Sequence, residues 1–251
     1  MMAAELGRAA GKELPRADRV AVIAALALER VALNAAPRGA TRIDVHQSGP
    51  GLARAEGAAR AAIAEGANAL VAWGLAGGLI AGVSPGDVVL PALGLASGGT
   101  RWRAEPRWHA ALERALSAAF RVHTGTLVSV PEVLASPLAK RTAAESCGAA
   151  AVDMESAAIA AVASHAGIPF IAVRVVADAS TDSLPHDIGK WIDASGRRRL
   201  RPLLGTVVAP REWPTLLRLA SRQRAARRTL DGVARHLVPS GFHFTQATAR
   251  A

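Results

Sequence analysis

The 251-residue sequence predicts an α/β fold: a mixed, largely parallel central sheet with helices on both faces. Three observations carry that expectation. Apolar runs of strand length alternate with Ala-rich stretches of helical length. Glycine or proline marks most of the joints, at Gly39, Gly66, Pro85, Pro131, Gly167 and Pro169. The runs Ala69–Gly74 and Phe170–Val176 are apolar almost throughout, as strands covered on both faces are.

Residues 1–18 carry charges of both signs and no apolar leader segment, so they read as a disordered extension. A single domain is expected over 19–237. Its strands fall at Arg19–Leu26, Thr41–Gln47, Ala69–Gly74, Asp87–Leu93, Val122–Val130 and Phe170–Val176. Its helices fall at Ala53–Glu65, Arg107–Ala119, Pro137–Glu145, Glu155–His165 and Trp213–His236. Between them, 179–212 has weak periodicity and contains Pro185, Gly189, Gly196, Pro202 and Pro210, which predicts a long loop or lid. The Arg-rich C-terminal helix spans 213–237, and 238–251 reads as a tail.

Hydrophobic residues make up 51% of the chain, enough for a sizeable core, while aromatics are 4% and Tyr is absent. The one cysteine, Cys147, rules out an intrachain disulfide and fits a reducing cytoplasm. No run reaches the ~18–20 apolar residues of a membrane span. The net charge of +10 is concentrated towards the C-terminus, where twelve Arg between Arg197 and Arg250 face only Glu212 and Asp231. No aromatics interleave with these cations and no zinc-finger spacing occurs, so nucleic acid is not the expected partner. A solvated helix face and peripheral association with an anionic membrane both fit. The seven His are scattered, without a tight ligand pair, so no metal is expected.

The chemistry is concentrated in two carboxylates, Glu155 and Asp178, at the ends of apolar segments. A carboxyl group near apolar surroundings holds its proton to higher pH and can donate it near neutrality. A second, ionised one can hold a diol or steady a developing cation, a division of labour that suits cleavage of a glycosidic bond. Each also has a plainer reading: Asp178 as a turn or helix-capping aspartate, Glu155 as a first-turn carboxylate on the helix dipole. Glu29, after the first strand and beside Arg30, reads from the residues alone as an exposed helix residue. Arg174 lies in a strand that should be buried, so it needs a partner: an ion pair, a phosphate or another subunit. His186 and Lys190 read as surface residues of the lid.

The run Val152-Asp153-Met154-Glu155-Ser156-Ala157-Ala158, with Ile168–Ser180 after it, resembles the superfamily of purine nucleoside phosphorylases and methylthioadenosine/adenosylhomocysteine nucleosidases. Ser48-Gly49-Pro50-Gly51, Gly74–Leu79 and Pro85–Val89 precede it in the matching order, so the resemblance covers roughly 19–180. The Arg-rich region from 183 to 237 is most similar to the hopanoid-associated phosphorylase branch. The resemblance implies the three-layer phosphorylase/hydrolase-like fold and at least a dimer. It implies that Asp178 protonates purine N7, that Glu155 binds the ribose hydroxyls beside Met154, and that Val133 and Leu134 wall the purine. It assigns Glu29 to activating water, and Gly49, Leu75, Ala76 and Gly77 to the nucleophile or phosphate loop. Leu75 stands where the family often has a hydroxyl. No cofactor is implied, with inorganic phosphate as a co-substrate if the reaction is phosphorolysis. The expectation is cleavage of a purine nucleoside, with adenine released from adenosylhopane, in the cytoplasm or at the inner membrane face. Its rivals are an enzyme for small nucleosides such as methylthioadenosine, and a non-catalytic nucleoside-binding or membrane-surface protein.

Overall fold

Two long parallel strands carry the molecule. In the computed structural model, which describes residues 17, 19–37, 41–185, 193, 196–197 and 213–243 (side chains of 213–220 and 243 excepted), β3 (Ala69–Gly78) pairs with β10 (Phe170–Asp178) from Leu70 opposite Phe170 to Gly77 opposite Asp178. Residues 1–16 and 18 of the expected extension, most of the expected lid with His186 and Lys190, and the tail after His243 lie outside the described residues.

The other edge of β3 is shared. Its first half pairs in parallel with β1 (Arg19–Ala24), which in turn pairs with β2 (Arg42–Gln47). Its last two residues, Gly77 and Gly78, pair antiparallel with β9 (Ala151–Asp153). From β9 the sheet continues through β8 (Leu127–Ser129), β5 (Leu93–Ala96) and β6 (Arg101–Arg103). Beyond β10 lie β4 (Val88–Val89) and β7 (Val122–His123). The β10–β4, β3–β9 and β5–β6 pairings are antiparallel and the others parallel, so the sheet is mixed and largely parallel. It forks at Gly74–Ala76, between the β1 and β9 pairings.

Side chains alternate across a strand, so each long strand feeds two cores. Ala69, Val71 and Trp73 of β3 face one side with Val20, Val22, Ile171 and Val173. That side is covered by α1 (Ala27–Ala35), α3 (Pro106–Ser117) and α6 (Trp213–Leu237). Leu70 and Ala72 face the other, with Ala21, Ile23 and Ala172, under α2 (Leu52–Ala64) and α5 (Ser156–Ala166). The alanines Ala55, Ala59 and Ala62 of α2, and Ala157, Ala160 and Ala163 of α5, are buried there. Small side chains at this spacing let two helices approach each other and the sheet closely. On α6, Ala226, Leu230, Val233 and Leu237 are buried while Arg224, Arg227, Arg228 and Arg235 are exposed.

Some elements differ from the sequence expectation. The first strand stops at Ala24 and a helix, α1, begins at Ala27; no glycine or proline marks that turn. The expected loop at Gly74–Gly78 is the second half of β3, because its glycines are in the ladder. Asp87–Leu93 and Val122–Val130 each contain two pieces of strand instead of one, and β6 and β9 are additional. The packed chain also continues past Leu237: Phe242 is fully buried, meets Trp73 edge to face at 6.2 Å, and its carbonyl accepts the Trp108 indole N–H at 2.6 Å.

Candidate active site

The fork in the sheet leaves β3 without a neighbouring strand over a short stretch, and the site is built there. The N–H of Leu75 would otherwise be unsatisfied; it donates to Glu29 Oε1 at 2.9 Å. Glu29 sits in the first turn of α1 and reaches back, so that its Oε2 accepts the Leu26 N–H at 2.8 Å. Its carboxylate occupies the space a side chain on Gly74 would need: a Cβ there would lie 2.4 Å from Oε1. Gly74 also has φ +147°, a conformation side-chain-bearing residues rarely adopt. Glu29 is therefore a buried residue, 2% exposed, and the exposed-helix reading does not apply. Burial pushes its carboxyl up to about 7, against the pull of Arg174 and the two N–H donors.

Glu155 precedes the first turn of α5 but does not cap it. Two other side chains do so: Asp153 Oδ2 accepts the Ser156 N–H at 3.1 Å, and Ser129 Oγ accepts the Ala157 N–H at 3.0 Å. That leaves the Glu155 carboxylate turned to other partners. Its Oε1 accepts the Gly51 N–H at 3.1 Å, and Arg174 lies 3.4 Å from Oε2. The Ser48–Gly51 motif thus contributes through Gly51. Gly49 itself does not line the cleft, while its neighbour Pro50 does. Burial raises the Glu155 carboxyl while Arg174 works against that rise.

Arg174, 1% exposed, has the partner its position requires: its Nη2 is 2.5 Å from Asp153 Oδ2, and it donates to Ser156 Oγ at 3.1 Å. It is a structural ion pair that also holds Glu155. Asp153 in turn accepts a hydrogen bond from Ser129 Oγ at 2.5 Å.

Asp178 ends β10 just after a register shift that falls between Val176 and Asp178, a bulge that re-aims the last side chain. Its carboxylate rests over Gly77, where a Cβ would meet Oδ2 at 3.2 Å. On its other side is Lys140 of α4 (Pro137–Cys147), a helix capped by Ser136 Oγ and begun by Pro137. Lys140 is 1% exposed, and its ammonium pairs with Asp178 and donates to the carbonyls of Ala179 at 2.8 Å and Asp182 at 3.1 Å. Burial raises the Asp178 carboxyl, with Lys140 and, more weakly, Arg222 of α6 pulling it back.

These groups face one cleft. Glu29, Glu155, Met154, Asp178 and Lys140 line it, together with Leu75, Ala76 and Gly77 of β3 and an apolar wall that includes Leu26, Val133, Leu134 and Leu184. The N–H of Leu184 donates to the Ala135 carbonyl at 2.8 Å, which draws the segment after β10 over the turn that carries Val133 and Leu134. The Leu75 N–H, expected as an anion donor, is taken by Glu29. Lys140 and Asp153 escape a reading by sequence. Lys140 stands beside Arg141 in a polar helix, and only the register of that helix tells the buried cation from its neighbour. The arrangement can offer a base near neutrality, a diol acceptor and a charged acid–ammonium pair to one bound molecule.

A family model described as "Phosphorylase superfamily" matches residues 31–209. No curated protein matches the chain significantly. Among solved structures, a 5′-methylthioadenosine/S-adenosylhomocysteine nucleosidase from Neisseria meningitidis is similar at TM-score 0.66 and 21% identity, covering 89% of this chain and 99% of that one. An S-adenosylhomocysteine nucleosidase from Streptococcus pyogenes aligns at TM-score 0.65 and 18% identity, over 87% and 97%. A futalosine hydrolase from Helicobacter pylori aligns at 0.62 and 15%, over 86% and 96%. At these identities the structural likeness is one of fold.

Proposed function

We propose, for an enzyme that belongs to the phosphorylase superfamily and is of the nucleosidase or nucleoside phosphorylase kind, that it hydrolyses the N-glycosidic bond of a purine nucleoside. One observation carries this reading: Glu29, Glu155 and Asp178, buried and held by different partners, line the same cleft. In the proposed reaction Glu29 takes a proton from water as the water oxygen bonds to C1′. Glu155 accepts hydrogen bonds from the ribose hydroxyls, and its charge favours the cationic character that develops on the sugar. The electron pair of the C1′–N9 bond passes into the purine as Asp178 gives its proton to N7. Glu29 then releases its proton to solvent and Asp178 regains one.

Water is favoured over phosphate by what the cleft offers. Among the described residues, Arg174 is engaged with Asp153 and Ser156, Lys140 with Asp178 and two carbonyls, and the Leu75 N–H with Glu29. At any of these three groups a phosphate would have to displace a partner already bound. The apolar wall, with Val133 40% exposed, supports a substrate with an apolar 5′ group, and adenosylhopane is the one the hopanoid-branch resemblance implies. The exposed arginines of α6 support seating of a cytoplasmic homo-oligomer on an anionic bilayer, where such a lipid resides. Among the described residues no helix is long and apolar enough to cross a membrane.

The test is adenine release from adenosylhopane in detergent and from methylthioadenosine, with and without phosphate. Release indifferent to phosphate is expected. Release only with phosphate would replace hydrolysis by phosphorolysis, and comparable turnover of methylthioadenosine would move the substrate to small nucleosides.

A further inference from the structure

We infer that Lys140 is a positioning residue for this cleavage: its buried ammonium fixes the Asp178 carboxylate over Gly77 and carries the negative charge left there when the proton passes to the base. The inference rests on the proposed cleavage, in which Asp178 is the acid.

Three features of Lys140 support it. It is the one residue of α4 that is fully buried, in a helix whose other polar side chains face outwards, so the helix delivers it to the cleft at the cost of desolvating an ammonium. Its three donors are matched by three oxygens: the Asp178 carboxylate and the Ala179 and Asp182 carbonyls. And the oxygen it holds is Oδ2, which leaves Oδ1 to carry the proton to the purine. The carbonyls it also binds belong to the turn that follows β10, closed by the Ala179 N–H on Asp182 Oδ2 at 2.8 Å. Lys140 thereby fixes the acid and the backbone after it together.

The step balances without another reactant. Asp178 Oδ1–H gives its proton to N7 while the C1′–N9 electron pair enters the ring. The carboxylate that remains is paired with an ammonium already in place, so no charge is stranded in a buried site. Among the described residues, Arg222 of α6, which is paired with Asp182, also pulls on Asp178, and Glu29, Glu132, Asp153 and Glu155 line the same cleft. Of these charged groups, Lys140 is the one that is hydrogen-bonded to the Asp178 carboxylate.

A pH profile separates this role from a merely structural one. In Lys140→Met the acid loses its cation, so the falling, basic limb of kcat/KM should move up by ~1–3 pH units, the effect of an opposite charge at this range. Its kcat below that limb should fall by roughly tenfold or more, a share of what a general acid contributes. Lys140→Arg keeps a cation and should keep the limb near its wild-type position. Asp178→Asn alone and Asp178→Asn/Lys140→Met should differ by less than about twofold, because two residues acting as one unit are not additive. That pair of variants carries the test if Lys140→Met alone does not fold. A Lys140→Met enzyme with wild-type kcat and an unmoved limb would overturn the inference, as would a further loss of tenfold or more in the double variant. If instead the wild-type protein released no base from any nucleoside, the proposed cleavage itself would fall.

Discussion

Glu29 and Asp178 line the same cleft, and both are buried carboxyls seated on a glycine of β3. Their partners differ in kind. Glu29 accepts hydrogen bonds from two neutral N–H groups, of Leu26 and Leu75, and burial carries it up to about 7 while the charge of Arg174 pulls against that rise. Asp178 is held by an ammonium, which opposes the same upward push. Burial alone thus does not assign a role to a carboxyl group. In the proposed reaction, a neutral cradle suits a group that must gain a proton from water and a cationic one suits a group that must lose its proton to a leaving group.

Removing either acid is the strongest way to break the comparison. Asp178→Asn and Glu29→Gln should each lower kcat by about 10²–10⁴-fold. They should differ in their pH profiles: Glu29→Gln loses the rising limb expected at about 7, and Asp178→Asn retains it. Loss of the same limb in both would mean the two groups do not divide the work as proposed. The two glycines sharpen the contrast with smaller effects. In Gly74→Ala the new methyl would fall 2.4 Å from Glu29 Oε1 at φ +147°, so Glu29 must move, and a displacement of an ångström or so costs on the order of 10²-fold. In Gly77→Ala the methyl would lie 3.2 Å from Asp178 Oδ2, where a shift of a few tenths of an ångström suffices, so kcat should drop less than about tenfold. Equal losses in steady-state assays of the two glycine variants would show that the seats do not set the positions of the acids.

How far the sequence discloses this site depends on the range over which each residue is held. Local features are legible: helices α2 to α5 lie within a few residues of their sequence-predicted bounds, because Ser136-Pro137, Pro106, Gly148 and Gly167 mark ends through local backbone chemistry. The turn at Ala25–Leu26 is illegible because nothing local marks it; α1 starts there with Glu29 reaching back to Leu26. The glycines of Gly74–Gly78 mislead in the opposite direction. They suggest a loop that binds an anion, and instead they clear room in a strand for two carboxylates that arrive from β10 and α1. Arg174 announces its need of a counter-charge, but Asp153 as the answer requires the sheet to exist. Lys140 meets Asp178 across 38 residues of chain, and no local pattern records that contact.

The seating of Glu29 also bears on how firmly the folded chain holds together at different pH. A carboxyl whose folded value is raised from 4.5 to about 7 contributes its full stability below the unfolded value and loses it as pH climbs through the folded one. The loss amounts to roughly 3 kcal/mol for this group, a sizeable share of the ~5–15 kcal/mol that holds a typical domain folded. The ionised Glu29 that can accept a proton from water therefore exists only where the fold has given up that margin. Urea unfolding should show Glu29→Gln gaining on the wild type between about pH 4.5 and 7 and levelling off above, and parallel curves would mean that Glu29 ionises without cost.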